Sequence, residues 1–252
     1  MELRTFPKAV ILACALAVPT APSHAREIDP STYLLLPGVT EGEHEVDVRM
    51  GDGSTGRHIP SERDLGIGFG VGVNSHWFTE LAVQYRALSG TPDGFDSLEW
   101  ENILQVAEPG EWPVDLGIMV AIDRPRDLAQ GTALTVGPLL QKEFGRIQVN
   151  FNVLGSRLFG ASPTNVHWAY QFQVKYRQSQ AFEYGVQGFG SPASTSRAWV
   201  AYEDQTHRLG PVVLGKFPLG GERAIQYNAG LLFGTTSRSP SRTLRLQVEY
   251  EF

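Results

Sequence analysis

The side chains that could do chemistry in this sequence are mostly polar residues set at every second position. Glu80, Gln84 and Arg86 share that spacing, as do Glu99, Glu101 and Gln105. So do Gln148, Asn150 and Asn152; Gln171, Gln173, Lys175 and Arg177; and Arg245, Gln247, Glu249 and Glu251. Asp115, Gln226 and Asn228 fall in register with them. Residues two apart in an extended chain point the same way, so each set projects from one face of a strand. Carboxylates, amides and guanidiniums facing a shared space have two uses. They can pair with one another and hold the space shut, or select a passing solute by charge. Pairing is the weightier expectation, because opposite charges fall on neighbouring segments.

Catalysis asks for more. A hydrolytic site needs Ser and His with a third, orienting polar group. His44, His58, His76, His167 and His207 stand in no recognisable Ser/His arrangement. His76 falls in an expected turn, and His58 and His207 in or beside expected loops, so they read as solvated. No His-x-x-x-His pair or acidic cage offers a metal site. The run Gly66-Ile67-Gly68-Phe69-Gly70 is not a nucleotide loop, because no helical pattern follows it. The expectation is no catalytic residue, no metal and no cofactor, and a protein that is not an enzyme.

Strands must position the polar sets. Val46, Val48 and Met50 alternate with Asp47 and Arg49. Leu65, Ile67, Phe69, Val71 and Val73 alternate with glycines, which leave room for a neighbouring side chain or for a lumen. The pattern repeats over 81–85, 98–106, 114–122, 134–140, 147–153, 168–176, 182–186, 209–217, 223–234 and 243–252. That makes about 12 segments of about 9–12 residues, enough to cross a bilayer at a tilt of roughly 45°. Short turns alternate with long polar loops, the longest over 51–63 and 190–205. Trp77, Trp112, Phe144, Phe182, Phe217 and Phe252 mark the short-turn ends, with Tyr250 beside the last. One aromatic at each such end reads as a girdle at a membrane interface.

The N-terminus reads as an export leader. Arg4 and Lys8 precede the apolar run Ala9 to Val18, and Ser23-His24-Ala25 offers a cleavage site. Residues 1–25 are therefore assigned as signal peptide, 26–42 as a periplasmic lead-in and 43–252 as barrel. Within the lead-in, Tyr33 to Leu36 either tucks into the barrel mouth or begins the first strand early. The stretch ending at Cys14 loosely resembles a lipobox, but its apolar run is short. Cys14 is the sole cysteine, so the mature chain has no disulfide framework. A formal charge of −6 argues against nucleic acid as a partner.

The end of the chain carries a resemblance. From Leu244 to Phe252 apolar residues alternate strictly with Arg245, Gln247, Glu249 and Glu251, and the strand runs to its final residue. This resembles the C-terminal assembly signal of bacterial outer-membrane β-barrels, closed by an aromatic residue. Further stretches are similar to an uncharacterised family of small Gram-negative outer-membrane barrels, some described as transporters. They are Gly42-Glu43-His44-Glu45-Val46, 207–213 and 227–234. The resemblance implies an antiparallel transmembrane β-barrel in the outer membrane, lipid as its surroundings, and the barrel-assembly machinery as a partner of the last strand. It transfers no binding residue.

A lumen for passive or weakly selective passage of a small solute is the leading expectation, because about 12 strands exceed the number that side chains alone fill. A non-conducting barrel whose long loops bind at the surface is the first alternative. A lipid-modifying enzyme of the outer membrane is the second.

Overall fold

The computed structural model describes residues 28–90, 93–161, 165–194 and 201–252, without the side chains of 193 and 194. The leader and the Trp199-Val200 pair lie outside the described residues. Twelve strands make up the fold: β1 (His44–Gly53), β2 (Glu62–Asn74), β3 (Trp77–Leu88), β4 (Gly94–Gln105), β5 (Asp115–Pro125) and β6 (Thr132–Phe144). Then follow β7 (Ile147–Phe159), β8 (Val166–Ser179), β9 (Phe182–Ser194), β10 (Thr206–Gly220), β11 (Arg223–Gly234) and β12 (Arg242–Glu251). Each pairs antiparallel with its sequence neighbours, and β1 pairs with β12 to close the barrel. Val48 faces Val248 across that seam. Beyond it, the His44 amide donates to the Phe252 carbonyl at 3.2 Å and the Phe252 amide donates back at 2.8 Å. The chain is thus hydrogen-bonded to its last residue.

Closure explains the alternation. Outward positions such as Phe69, Leu81, Leu98, Trp100, Phe151, Val174 and Leu244 are all exposed large apolar side chains. In water this surface would far exceed the apolar patches that soluble monomers tolerate. In hydrocarbon it is solvated, and a closed sheet leaves no unpaired edge there. Two indoles on this face find acceptors on the neighbouring strand. The Trp100 indole donates to Thr79 Oγ1 at 2.9 Å, and the Trp77 indole to Asn102 Oδ1 at 3.0 Å.

Strands of 10 to 15 residues are longer than the alternation alone marks. β1 reaches Gly53, β7 reaches Phe159 and β9 reaches Ser194, each running into a stretch expected as loop. Polar and glycine-rich sequence pairs there because the ladder continues outside the apolar band. Four connections at one end have two residues each, but the fifth, 106–114, has nine. It exceeds the β3–β4 connection at the opposite end, so the short-turn rule fails there. Pro109 and Pro113 cannot donate to a tight hairpin, and Gly110 turns with φ 81° while its amide is held by Asp115 Oδ1 at 2.7 Å.

The largest departure from expectation is the segment before β1. The expected periplasmic lead-in runs inside the barrel over its described length, from the long-loop end to the short-turn end. It then reverses at Gly42 (φ 78°) into β1. Neither the mouth nor an early first strand describes it; it is a strap through the lumen. Glycines make its bed. A Cβ on Gly51 would stand 2.2 Å from the Ser31 nitrogen, one on Gly117 2.8 Å from Pro37 Cα, and one on Gly72 1.9 Å from the Thr40 carbonyl oxygen. The β2 glycines 66, 68 and 70 do a different job: their missing side chains leave space for Gln84, Glu80 and Phe78 of β3.

Candidate functional site: the strapped lumen

An extended segment inside a barrel brings its own backbone polar groups, and each needs a partner. Inward side chains of the wall supply them. The Ser31 amide donates to Asp64 at 2.8 Å, the Leu35 amide to Gln171 at 3.1 Å and the Val39 amide to Gln105 at 2.8 Å. The strap carbonyls accept in turn: Thr32 from Arg245 at 2.6 Å, Leu35 from Asn152 at 2.9 Å and Asp29 from Arg208. The Asp29 carboxylate pairs with Arg86 at 2.7 Å. Wall residues thus treat the strap as one more strand, through side chains rather than through a ladder.

The strap divides the lumen. On the short-turn side lies a polar vestibule of about 850 Å³. Towards the long loops lies a smaller cavity of about 160 Å³. Tyr33, Arg49 and Glu101 line both and form the partition. The Tyr33 hydroxyl donates to both Glu101 oxygens at 3.0 Å. The Arg49 guanidinium packs on the Tyr33 ring and forms ion pairs with Asp47 and Glu80. Asp47, Arg49, Glu80 and Glu101 are all buried.

A second array lines the wall opposite. Gln141, Gln148, Asn150, Gln173 and Gln187 are linked amide to amide across β6 to β9. Gln187 and Asn228 then accept from Arg245, which ends the array. Around the vestibule, Lys175 pairs with Glu183, Arg177 with Glu143 and Lys216 with Glu251.

The expected lumen residues fall inside, and the structure brings many together. Gln84 donates to Glu99 at 3.1 Å, Gln171 accepts from Asn152 at 2.8 Å, and Gln226 bridges Glu249 and Glu251. Gln247 and Glu249 line the vestibule. Asp115 instead serves the 106–114 connection. Trp77, Trp112, Phe144, Phe182, Phe217, Tyr250 and Phe252 are exposed at or near the short-turn end. The sequence-based list omitted Glu45, Asp47, Arg49, Gln187 and Arg208, which are buried lumen residues. The β1 alternation already pointed Asp47 and Arg49 inward. No pattern marked the strap, because it pairs with no strand.

His207 corrects another expectation. It is not a solvated loop residue: only 8% of it is exposed. Its ring stacks between Tyr170 and Tyr202, whose centroids lie 5.7 and 5.1 Å away. Its Nδ1 lies 2.8 Å from the Tyr170 hydroxyl and its Nε2 2.6 Å from Gln205 Oε1. Both ring nitrogens are occupied by neutral partners, and among the described residues no Ser hydroxyl meets them. His58 and His76 are exposed in their connections.

Fold and lumen together define a closed antiparallel β-barrel of the outer-membrane type, with the segment before β1 running through its interior. Solved structures share the fold. The NanC porin superposes with a TM-score of 0.54 at 10% identity, covering 82% of this chain and 98% of its own. An outer membrane channel from Pseudomonas putida F1 superposes with a TM-score of 0.58 at 13% identity, covering 89% and 99%. No protein-family model and no curated relative matches the sequence.

Proposed function

We propose that the protein is an outer-membrane barrel giving passive, weakly selective passage to a small solute, with the strap as its closure. One observation carries this reading: the vestibule of about 850 Å³ ends against a partition made by the strap and the wall residues packed on it, with a second cavity beyond. The strap is seated by hydrogen bonds, by glycine notches and by Leu35, which packs in one cluster with Ile103, Met119, Leu139 and Leu154, and it is not itself one of the paired strands. The two fold neighbours are a porin and an outer membrane channel, which supports the reading. The apolar outer belt and the export leader support an outer-membrane location, and the paired terminal Phe252 supports recognition of the last strand by the assembly machinery.

Planar-bilayer recording of the refolded chain tests the proposal. Brief conductance steps are expected from the wild type and longer ones from variants that crowd the strap. Silence from both overturns it. The continuous strap favours one other reading, a non-conducting barrel that acts through its surface loops. Shortening 54–61 and 235–241 would then remove function, whereas it leaves conductance unaffected if the lumen is the site.

A further inference from the structure

Arg245 is a buried cation that meets no anion among the described residues. It is 3% exposed. Its partners among the described residues are the Thr32 carbonyl, Gln187 and Asn228, all neutral, and its Nε has no hydrogen-bond partner. A guanidinium taken out of water is costly unless an opposite charge meets it. Carbonyl and amide dipoles meet that need only in part, whereas a carboxylate can take two parallel N–H bonds. Arg208 lies on the same side of the lumen. Its Nε and Nη1 are also unpartnered, and it too holds a strap carbonyl, that of Asp29. Both guanidiniums lie over the Phe189 ring, with centroid distances of 5.0 Å for Arg245 and 5.8 Å for Arg208.

Its place in the lumen matters as much. Asn228, one of its partners, lines the vestibule, and Phe189 lines the smaller cavity. Thr32, whose carbonyl Arg245 holds, lines the smaller cavity as well, so Arg245 stands behind that stretch of the strap. The smaller cavity, at about 160 Å³, is near the size of an apolar cavity that accepts benzene. Leu35, Met119, Leu154 and Phe189 supply its apolar wall, while Asp29, Glu99 and Glu101 on its polar side are held by Arg86, Gln84 and Tyr33. Vestibule carboxylates outnumber its cations Arg49, Lys175, Arg177 and Lys216, so a polyanion is repelled more than a monoanion.

We propose that Arg245 is the recognition point for a small monocarboxylate with a ring-sized apolar body, and that the Thr32 carbonyl occupies the carboxylate's place while the strap is seated. Carboxylate binding at Arg245 then competes with the strap and opens the lumen. This rests on the channel reading above.

The test uses the full chain. Benzoate, benzamide and added chloride at equal concentration are compared in bilayer recordings, and benzoate and benzamide binding is measured by calorimetry in detergent. Benzoate is expected to raise the open fraction about tenfold and to bind, with benzamide and chloride without effect. Arg245→Gln should remove both responses, and Arg245→Lys should keep a weakened one, since it retains charge but not the paired geometry. Equal responses to benzoate and benzamide, or a full benzoate response in Arg245→Gln, overturn the inference. If Arg245→Gln fails to fold, the benzoate–benzamide comparison on the wild type decides. Calorimetric binding with no conductance under any condition would sink the channel reading and leave the site standing. Conductance without benzoate preference would do the reverse.

Discussion

The Tyr33 ring lies against the Arg49 guanidinium, with 3.8 Å from its centroid to the Arg49 Cζ. One residue belongs to the strap and the other to β1, the strand the strap leads into. The contact therefore joins two stretches adjacent in sequence and opposed in direction. It also ties the strap to a buried charge cluster, because Arg49 holds Asp47 and Glu80 while Tyr33 holds Glu101. Loosening either residue should loosen the partition.

The first prediction concerns the Tyr33 hydroxyl, which donates to Glu101 across the partition. Tyr33→Phe removes that hydrogen bond and should raise the open fraction in bilayer recordings, by about 1 kcal/mol. An unchanged open fraction would mean that the hydroxyl does not hold the strap.

Arg49→Met should cost more. It leaves Asp47 and Glu80 buried without their cation, a change worth about 3–5 kcal/mol. The urea midpoint of the folded, heat-modifiable band should fall accordingly. The triple variant with Asp47→Asn and Glu80→Gln should recover most of the loss. No recovery would mean that the Tyr33 stack, not the charge, is what matters.

Glycine notches give a cleaner way to move the strap. Val at Gly72 or Gly117 meets strap backbone, at Thr40 and Pro37 respectively. The barrel ladder is untouched, so the heat-modifiable shift should remain while conductance rises several-fold. Gly66→Ala is the control. Its Cβ would meet the end of the Gln84 side chain at 2.7 Å, which can swing aside. Equal conductance in all three variants would separate the strap from gating.

What was legible in the sequence follows from what has a period. Every strand pairs with neighbours on both sides, so each shows the two-residue alternation, and the facing of Glu101, Gln173 or Arg245 could be read directly. The strap pairs with side chains and shows no period. Its neighbourhood had one trace, the glycines: those of β2 could be read as leaving space, but not that Gly51 and Gly117 leave it for Ser31 and Pro37. His207 escaped for a related reason. Its cover comes from Tyr202, which a short 3-10 turn over Tyr202–Asp204 brings back, and from Tyr170 two strands away.

The lipid face offers a last test. Trp100 is 46% exposed on the outer face, and its indole donates to Thr79 Oγ1 of the adjacent strand. Hydrocarbon supplies no other acceptor, so Thr79→Val leaves a donor unpaired there. The expected loss is about 1–3 kcal/mol in urea unfolding from lipid vesicles. Trp100→Phe alone removes donor and indole area together, and should lose less than Thr79→Val if the unpaired donor dominates. With Phe at position 100 the valine change should then be nearly neutral, because no donor remains to be orphaned. A double-mutant cycle measures this coupling directly. An additive cycle would place Trp100 in water, and with it the whole outward belt on β3 and β4.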